Sequence, residues 1–345
     1  MQGRRARLLI EVVDRYIRTR QPVSSRELVT EYRHRFSPAT IRNELLALEG
    51  EGYLVKPYPS AGRVPTAQGF KFFAEWLLDL AKLGEGPSSV PAERHEVELG
   101  MLPDLFRSAA TLLAAMTREL GFVIPPPREH MRTSSLFVRR VRPGAVLAVT
   151  VSELGTVESR LLPLDLDLAP EELAEAEGFL SRWLQDHTLA ESPLGARPVP
   201  EGWHSRAAVA ALAILRQLAE REPDHGLYVE GWPHLLAELA VRSPEWALDR
   251  GQALLRVLEE GTAFVDLVRA LGNDRGQEIA VHVGDGSIPE LADLSLVSAP
   301  YLGGSGVAGV LGPLWMDYAR ALSAARYVAG RLGALLAAGS TKEEG

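Results

Sequence analysis

Residues 36–70 read FSPATIRNELLALEGEGYLVKPYPSAGRVPTAQGF, a run in which signals for a helix, a strand and a glycine turn follow one another directly. Ser37 can cap a helix, and Pro38 fits the first helical position, where its missing N–H costs no hydrogen bond. Apolar side chains then recur at helical spacing, which predicts one face turned toward a core. These side chains are Ile41, Leu45 and Leu48.

The residues after this helix predict a strand and a tight turn. Gly52 suits the left-handed residue that commonly ends a helix. Residues 53–57 (YLVKP) read as a strand, and residues 60–62 (SAG) read as a turn from which Arg63 is expected to project. Another helix is predicted over residues 68–80, so the strand and turn lie between two helices.

Two further helices are predicted before this run. Residues 4–19 carry apolar side chains at helical spacing. Ser24 and Glu27 then form a capping box, which predicts a short helix that ends near Tyr32. The order helix, helix, turn, helix, strand and turn is typical of a winged helix-turn-helix.

The predicted third helix and the glycine turn carry residue types that bind DNA. Arg42 can donate two hydrogen bonds to a guanine edge, and Asn43 can pair in the same way with adenine. Arg63 on a narrow turn could contact a phosphate or the minor groove. The candidate DNA-binding residues are Ser37, Ala39, Thr40, Arg42, Asn43, Ser60, Gly62, Arg63 and Thr66.

Charge is divided unevenly along the chain, and this division favours nucleic acid as the partner of the first domain. Residues 1–76 contain 13 Lys and Arg against 8 Asp and Glu, a net charge of +5, whereas the whole chain carries −8 and the remainder therefore −13. A basic end on an acidic body predicts that phosphate binding is confined to that end. Helix-turn-helix shapes also contact proteins, so the pattern alone leaves both readings open.

Composition excludes several classes of protein. The 345 residues contain no cysteine, so neither a disulfide framework nor a thiolate metal site is possible, and a reducing compartment is expected. The longest alanine- and leucine-rich run, residues 207–215, is too short to span a bilayer. Arg4, Arg5 and Arg7 lead into an amphipathic helix, not into an apolar signal segment. We therefore expect a cytoplasmic protein without a membrane segment.

Patterns that suggest an enzyme have simpler explanations here. Gly304, Gly306 and Gly309 form a GxGxxG pattern, but a dinucleotide fingerprint needs a helix after the glycines. Residues 307–311 read as a strand instead, so the glycines predict a hairpin turn. No GxxxxGK[ST] run is present, and the eight histidines include neither an HExxH pattern nor a close pair. The sequence predicts no catalysis and no bound cofactor or metal.

Two long segments resemble one known family. The run SPATIRNELLALEGEGYLVKPYPSAGRVPT resembles the N-terminal signature of HrcA, the bacterial heat-shock repressor family. Residues 16–28 (YIRTRQPVSSREL) are similar to the family's second helix and its approach. Residues 293–320 (DLSLVSAPYLGGSGVAGVLGPLWMDYAR) are similar to its closing segment. The chain departs from the family at Leu45, where methionine is common, which is a volume-conserving change.

The resemblance implies a function and its partners. A member of this family would be a homodimer that binds an inverted-repeat operator on double-stranded DNA before chaperonin operons. Its activity would depend on the chaperonin GroEL, which helps it to hold an active fold. Heat would occupy the chaperonin with unfolded proteins, and the operon would open. The alternative is a metabolite-gated transcription regulator, although a fold alone does not establish a ligand.

The resemblance also implies an α+β multidomain fold: an N-terminal winged helix-turn-helix and a GAF-like α+β domain with an inserted helical dimerisation domain. We predict the winged-helix domain at residues 1–81 and a Gly/Pro/Ser-rich linker at 82–102. The GAF-like domain would be discontinuous, at residues 103–168 and 226–340, with the insert at 169–225. It would open with a helix over about 103–120, followed by a strand meander near 135–162.

The insert contains the helix that most invites self-association. Its second helix, within residues 203–220, includes AAVAALAILRQLAE and is apolar over more than one face. A monomer would struggle to bury such a helix, so we expect it to form the dimer interface. The other reading is that it packs on the GAF-like domain of its own chain.

Overall fold

The structure is a computed structural model of the chain. It describes most of the N-terminal half and most of the C-terminal half, with gaps between elements. The described residues are 3–32, 37–82, 102–127, 132–153, 157–189, 205–219, 226–241, 243–273, 279–284 and 288–340. Apart from its two ends, the predicted linker at residues 82–102 lies outside them.

Four helices and one pair of short strands form the N-terminal unit. In chain order they are α1 (Arg4–Thr19), α2 (Ser25–Tyr32), α3 (Pro38–Gly50), β1 (Leu54–Val55), β2 (Val64–Pro65) and α4 (Ala67–Lys82). The two strands pair antiparallel, with Leu54 opposite Pro65. The predicted order of elements is therefore present, with a strand shorter than expected.

The rest of the described chain forms two antiparallel sheets with flanking helices. The elements are α5 (Leu102–Thr117), β3 (Leu120–Ile124), β4 (Thr133–Arg142), β5 (Ala145–Ser152), β6 (Val157–Pro163), α6 (Pro170–Asp186), α7 (Arg206–Ala219), β7 (Tyr228–Glu230), α8 (Trp232–Ala240), α9 (Pro244–Glu260), α10 (Thr262–Asn273), β8 (Ala280–Val283), β9 (Leu294–Tyr301), β10 (Gly306–Pro313) and α11 (Tyr318–Ser340). The helices and antiparallel sheets agree with the predicted α+β class.

A five-stranded sheet in the order β7-β3-β10-β9-β8 is the centre of the body. Helices α5 and α11 cover one of its faces, and helices α8, α9 and α10 cover the other. The sheet is thus buried on both sides, which explains why every residue of β10 is buried. Gly304 lies in the turn that joins β9 to β10, as predicted, whereas Gly306 and Gly309 lie within β10.

Residues 120–124 (LGFVI) form strand β3, which is not among the predicted strands, since the sequence predicts a helix up to about residue 120. The helix ends earlier, since Arg118 adopts a left-handed φ of 60° directly after α5. All five residues of β3 are buried, and a continuous apolar run does not distinguish a buried strand from a helix. The central position of β3 therefore comes from its pairing with β10 and β7.

Strands β4, β5 and β6 form a separate three-stranded sheet, not part of the five-stranded one. Their inner face packs on α6 and α7 in a hydrophobic core of its own, which includes Leu136, Val146 and Ile214. The predicted boundary at residue 169 therefore falls inside one hydrophobic core, which joins strands assigned to the GAF-like domain to helices assigned to the insert. Along the chain these strands follow α5 and β3, but their buried side chains pack on α6 and α7.

Helix α7 packs within its own chain. Ala208, Ala211 and Ile214 are fully buried against α6 and the three-stranded sheet. Most of the apolar surface that predicted a dimer interface is therefore covered by this chain itself. Its alanine-rich face packs on α6, which was assigned to the insert, and on the strands that were assigned to the GAF-like domain.

The N-terminal unit packs on the body through α4 and the end of α1. Phe73 on α4 contacts Tyr318 edge to face, with ring centroids 6.3 Å apart. Arg20, left-handed at the end of α1, donates to the carbonyl oxygen of Trp315 at 2.5 Å and pairs with Glu238 at 3.3 Å. The two units consequently share one continuous hydrophobic core.

Glu119 is a buried acid next to this contact between the units. Burial, and then the nearby Glu238 carboxylate, raise the pKa of the Glu119 carboxyl well above its usual range. The Arg20 guanidinium acts in the opposite direction on the same pKa. Arg20 therefore places a positive charge near the carboxyl groups of Glu119 and Glu238 in the body. It also donates a hydrogen bond to the Trp315 backbone.

Candidate nucleic-acid interface

Helix α3 begins at the predicted cap. Ser37 Oγ accepts a hydrogen bond from the Thr40 backbone N–H at 3.1 Å, and Pro38 follows it as the first helical residue. The apolar face, Ile41, Leu45 and Leu48, is fully buried in the N-terminal core. The cap and the buried face together fix which residues of the helix are left in solvent.

The opposite face of α3 is exposed and carries a stripe of four side chains. Ala39, Arg42, Asn43 and Leu46 stand at spacings of three, four and seven residues, so they lie along one side of the helix. Arg42 and Asn43 point away from the core, as the sequence predicts. We call these four residues the α3 stripe.

Acidic side chains next to the α3 stripe are paired with arginines. Arg5 on α1 donates to Glu44 Oε2 at 2.9 Å and also contacts Glu51. Arg63 lies 3.6 Å from Glu49. Since each carboxylate on or just after α3 faces a guanidinium, the negative charge along the helix is compensated beside the stripe.

The turn between β1 and β2 is held against the segment before α2. The Val23 backbone N–H donates to the Arg63 carbonyl at 2.9 Å, and the Arg63 N–H donates back to the Val23 carbonyl at 2.8 Å. A Cβ added to Gly62 would lie 2.6 Å from the Val23 carbonyl oxygen. Gly62 is therefore required by close backbone approach at this bridge.

The prediction that Arg63 projects from the turn is wrong. Its side chain is buried, with the residue only 7 % exposed, and its Nε faces Glu49 Oε2. The turn folds back onto residues 22–23, which carries the arginine inward. In this arrangement Arg63 braces the turn against α3 instead of reaching outward.

The Thr66 side chain also makes its hydrogen bonds within the N-terminal unit. Its hydroxyl donates to the Gly52 carbonyl at 2.7 Å and accepts from the Gly69 N–H at 3.2 Å, which ties the end of α3 to the start of α4. Ser60, in contrast, is exposed at the turn. Of the nine predicted contact residues, those on α3 and Ser60 lie near the surface, whereas Gly62, Arg63 and Thr66 position the turn.

Two further residues beside the turn are of types that contact DNA but are not among the nine predicted contact residues. Tyr58 is 58 % exposed between β1 and β2, and Lys56 is half-buried directly after β1. Both types bind DNA backbone, through a hydroxyl or a positive charge. The signal was available, because a lysine and a tyrosine flank the prolines of the turn in YLVKPYPSAG.

Metal-binding clusters and membrane-spanning helices are both absent from the described residues. Among them, no group of three or more His, Asp or Glu side chains could hold a metal ion. Across the same residues, no helix combines the length and the apolar character that a membrane crossing needs.

Comparison with known proteins places the chain in a family. Residues 103–322 match the family described as HrcA protein C terminal domain. The chain is 31% identical over 345 residues to the heat-inducible transcription repressor HrcA of Syntrophobacter fumaroxidans, covering 95% of both chains. It is 32% identical over 352 residues to that of Acidothermus cellulolyticus, covering 98% of this chain and 99% of the other. The 2.2 Å crystal structure of a hypothetical protein shares the fold, with a TM-score of 0.61 at 21% identity over 98% of this chain and 99% of the other. The chain belongs to the HrcA family of heat-inducible transcription repressors.

Proposed function

We propose that the N-terminal unit is a winged helix-turn-helix that binds an operator in double-stranded DNA, with α3 as the recognition helix. The observation that carries this proposal is the α3 stripe, in which Arg42 and Asn43 stand exposed on the face opposite the core. The N-terminal half of a recognition helix enters the major groove, where these side chains can pair with guanine and adenine edges. The β1–β2 turn then lies where a wing contacts the backbone.

The body would supply a second copy of the recognition helix through dimerisation. A two-fold dimer presents two such helices to an inverted repeat, with half-sites about 34 Å apart or a multiple of that distance. The relatives named as heat-inducible repressors support this assignment of function to the whole chain. In this arrangement the operator is read as two identical half-sites.

The outer face of the three-stranded sheet is the surface that best suits the dimer contact. Strand residues alternate between two faces, and here the outer face also carries apolar side chains, with Arg139 and Ser159 among them. Its exposed large apolar residues are Phe137, Val141, Val157 and Leu161. Several large apolar side chains exposed on one face favour an interaction surface. We therefore propose the outer face of this sheet, and not α7, as the dimer interface.

Leu161→Lys is expected to convert the dimer into a monomer. Leu161 is 54 % exposed on β6, opposite Leu147, so a charge there would be buried without a partner in the interface. Light scattering after size-exclusion chromatography measures the mass. Leu248→Lys on α9 is the matched control, because Leu248 is also exposed, at 63 %, but lies away from this sheet, and it should leave the dimer intact. A dimeric Leu161→Lys protein would exclude this face as the interface.

The GAF-like assignment of the five-stranded body, and modulation of the repressor by the chaperonin GroEL, also belong to this proposal. Both are what the resemblance to the HrcA family implies, and the match of residues 103–322 to that family is what supports carrying them over. In this account, heat diverts the chaperonin to unfolded proteins, the repressor is no longer maintained, and transcription of the operon rises. Gating by a metabolite stays the alternative prediction, and calorimetry of the protein with nucleotides would test it.

A gel shift with full-length protein tests the central proposal. An inverted repeat taken from upstream of a chaperonin operon is compared with a scrambled duplex of equal length at one fixed salt concentration, because salt changes all such affinities. We expect the inverted repeat to bind at least a thousandfold more tightly, the lower end of the range for specific binding. Equal affinity for the two duplexes would refute DNA recognition by this protein.

A further inference from the structure

The N-terminal unit exposes large apolar side chains in one region. In the part of residues 3–82 that the structure describes, these side chains are Leu46, Val55 and Tyr58. All three lie on α3 or on the β1–β2 hairpin. These exposed apolar side chains thus lie on the elements that we propose to contact DNA.

Leu46 is the member of this group that belongs to the α3 stripe. It is 51 % exposed and follows Asn43 by three residues and Arg42 by four, so it lies one helical turn further along the same side. Ala39 precedes the same pair by one turn. Along the stripe, an apolar side chain is therefore followed by two hydrogen-bonding side chains and then by a second apolar side chain.

The major groove offers a matching order of groups at an A·T pair. Adenine presents N6 and N7 for hydrogen bonds, and thymine presents its 5-methyl group to apolar side chains. A leucine one turn from Asn43 can reach the next pair when Asn43 occupies an adenine edge. We propose that Leu46 reads thymine methyl groups in the operator and so determines specificity beside Arg42 and Asn43. This inference rests on the proposed DNA-binding function.

The test removes the methyl group and the leucine separately. Duplexes are selected from a random pool with full-length protein, and each is then prepared with thymidine or with deoxyuridine, which lacks only the 5-methyl group. The wild-type protein should bind the deoxyuridine duplex about fourfold more weakly for each methyl contacted, which corresponds to roughly 0.8 kcal/mol. Leu46→Ala should bind the two duplexes equally.

Two further variants serve as controls. Val55→Ala removes a comparably exposed apolar side chain from β1 and should keep the wild-type preference for thymidine. Leu46→Met keeps an apolar side chain of similar volume and should also retain the preference. Circular dichroism should give the same helix content for all three variants, since Leu46 and Val55 are outside the core.

Equal binding of both duplexes by the wild-type protein would overturn the inference. A preference that survives Leu46→Ala would overturn it as well, because the discrimination would then come from the shape of the duplex itself. A selection that enriches no duplex at all would instead contradict the proposed DNA-binding function. The two kinds of failure are therefore distinguishable.

Discussion

Arg42→Ala is expected to weaken binding to the inverted-repeat operator by about 5- to 150-fold for each half-site, the equivalent of ~1–3 kcal/mol. Arg42 is exposed on α3, and its forked guanidinium can donate two hydrogen bonds to one guanine edge. Alanine removes both bonds and leaves the guanine acceptors unpaired in the complex. Non-specific binding should change far less, because it depends on phosphate contacts.

The measurement is a titration of operator and scrambled duplexes by Arg42→Ala at several salt concentrations. Arg18→Ala is the matched control, since Arg18 lies on α1, away from the α3 stripe, and pairs only at the surface with Asp14. It removes the same charge and should leave the ratio of specific to non-specific affinity unchanged. A uniform loss across both duplexes, with a smaller salt slope, would make Arg42 a phosphate contact instead.

Gly62→Ala is expected to destabilise the N-terminal unit by ~1–3 kcal/mol, the range for an overpacked site, and to weaken operator binding as well. The new Cβ would lie 2.6 Å from the Val23 carbonyl oxygen and 2.7 Å from the Pro22 carbonyl carbon, both of which are backbone. Backbone cannot rotate away as a side chain can, so the turn must separate from Val23. The pair of hydrogen bonds between Val23 and Arg63 would then be lost or lengthened.

Urea unfolding and operator titration measure the two effects of Gly62→Ala. Gly50→Ala is the control, because Gly50 is the last residue of α3 and an added Cβ there meets nothing within 4 Å. Alanine favours a helix over glycine by up to about 1 kcal/mol, so Gly50→Ala should be neutral or stabilising. If Gly62→Ala unfolds at the wild-type urea concentration, the close approach of the turn to Val23 does not constrain the protein.

Local signals in the sequence were sufficient for most of the helices and strands. The Ser37 cap, the Pro38 start and the apolar spacing of α3 are interactions between residues a few positions apart, and all are present in the structure. The hairpin of β9 and β10 follows in the same way from two apolar runs separated by glycines. Strand β3 was missed because its apolar run is buried on both sides and has no period.

In the candidate site, too, local spacing predicts some features and misses those that depend on distant residues. Helical spacing alone places Arg42, Asn43 and Leu46 on one exposed side of α3, because this depends only on 3.6 residues per turn. The burial of Arg63 depends on Glu49 and on the bridge to Val23, which are 14 and 40 positions away in sequence. A local sequence pattern does not predict contacts between residues that are so far apart along the chain.

By itself the sequence determined the order of elements in the N-terminal unit, the exposed stripe of its third helix and the resemblance to one repressor family. The tertiary structure alone decided that Arg63 turns inward, that the strands near residues 133–163 join α6 and α7, and that α7 is covered within its own chain. The physical reason is the range of the interactions involved. Caps and helical periods act between near neighbours, whereas an apolar face is buried by whichever surface the folded chain brings against it.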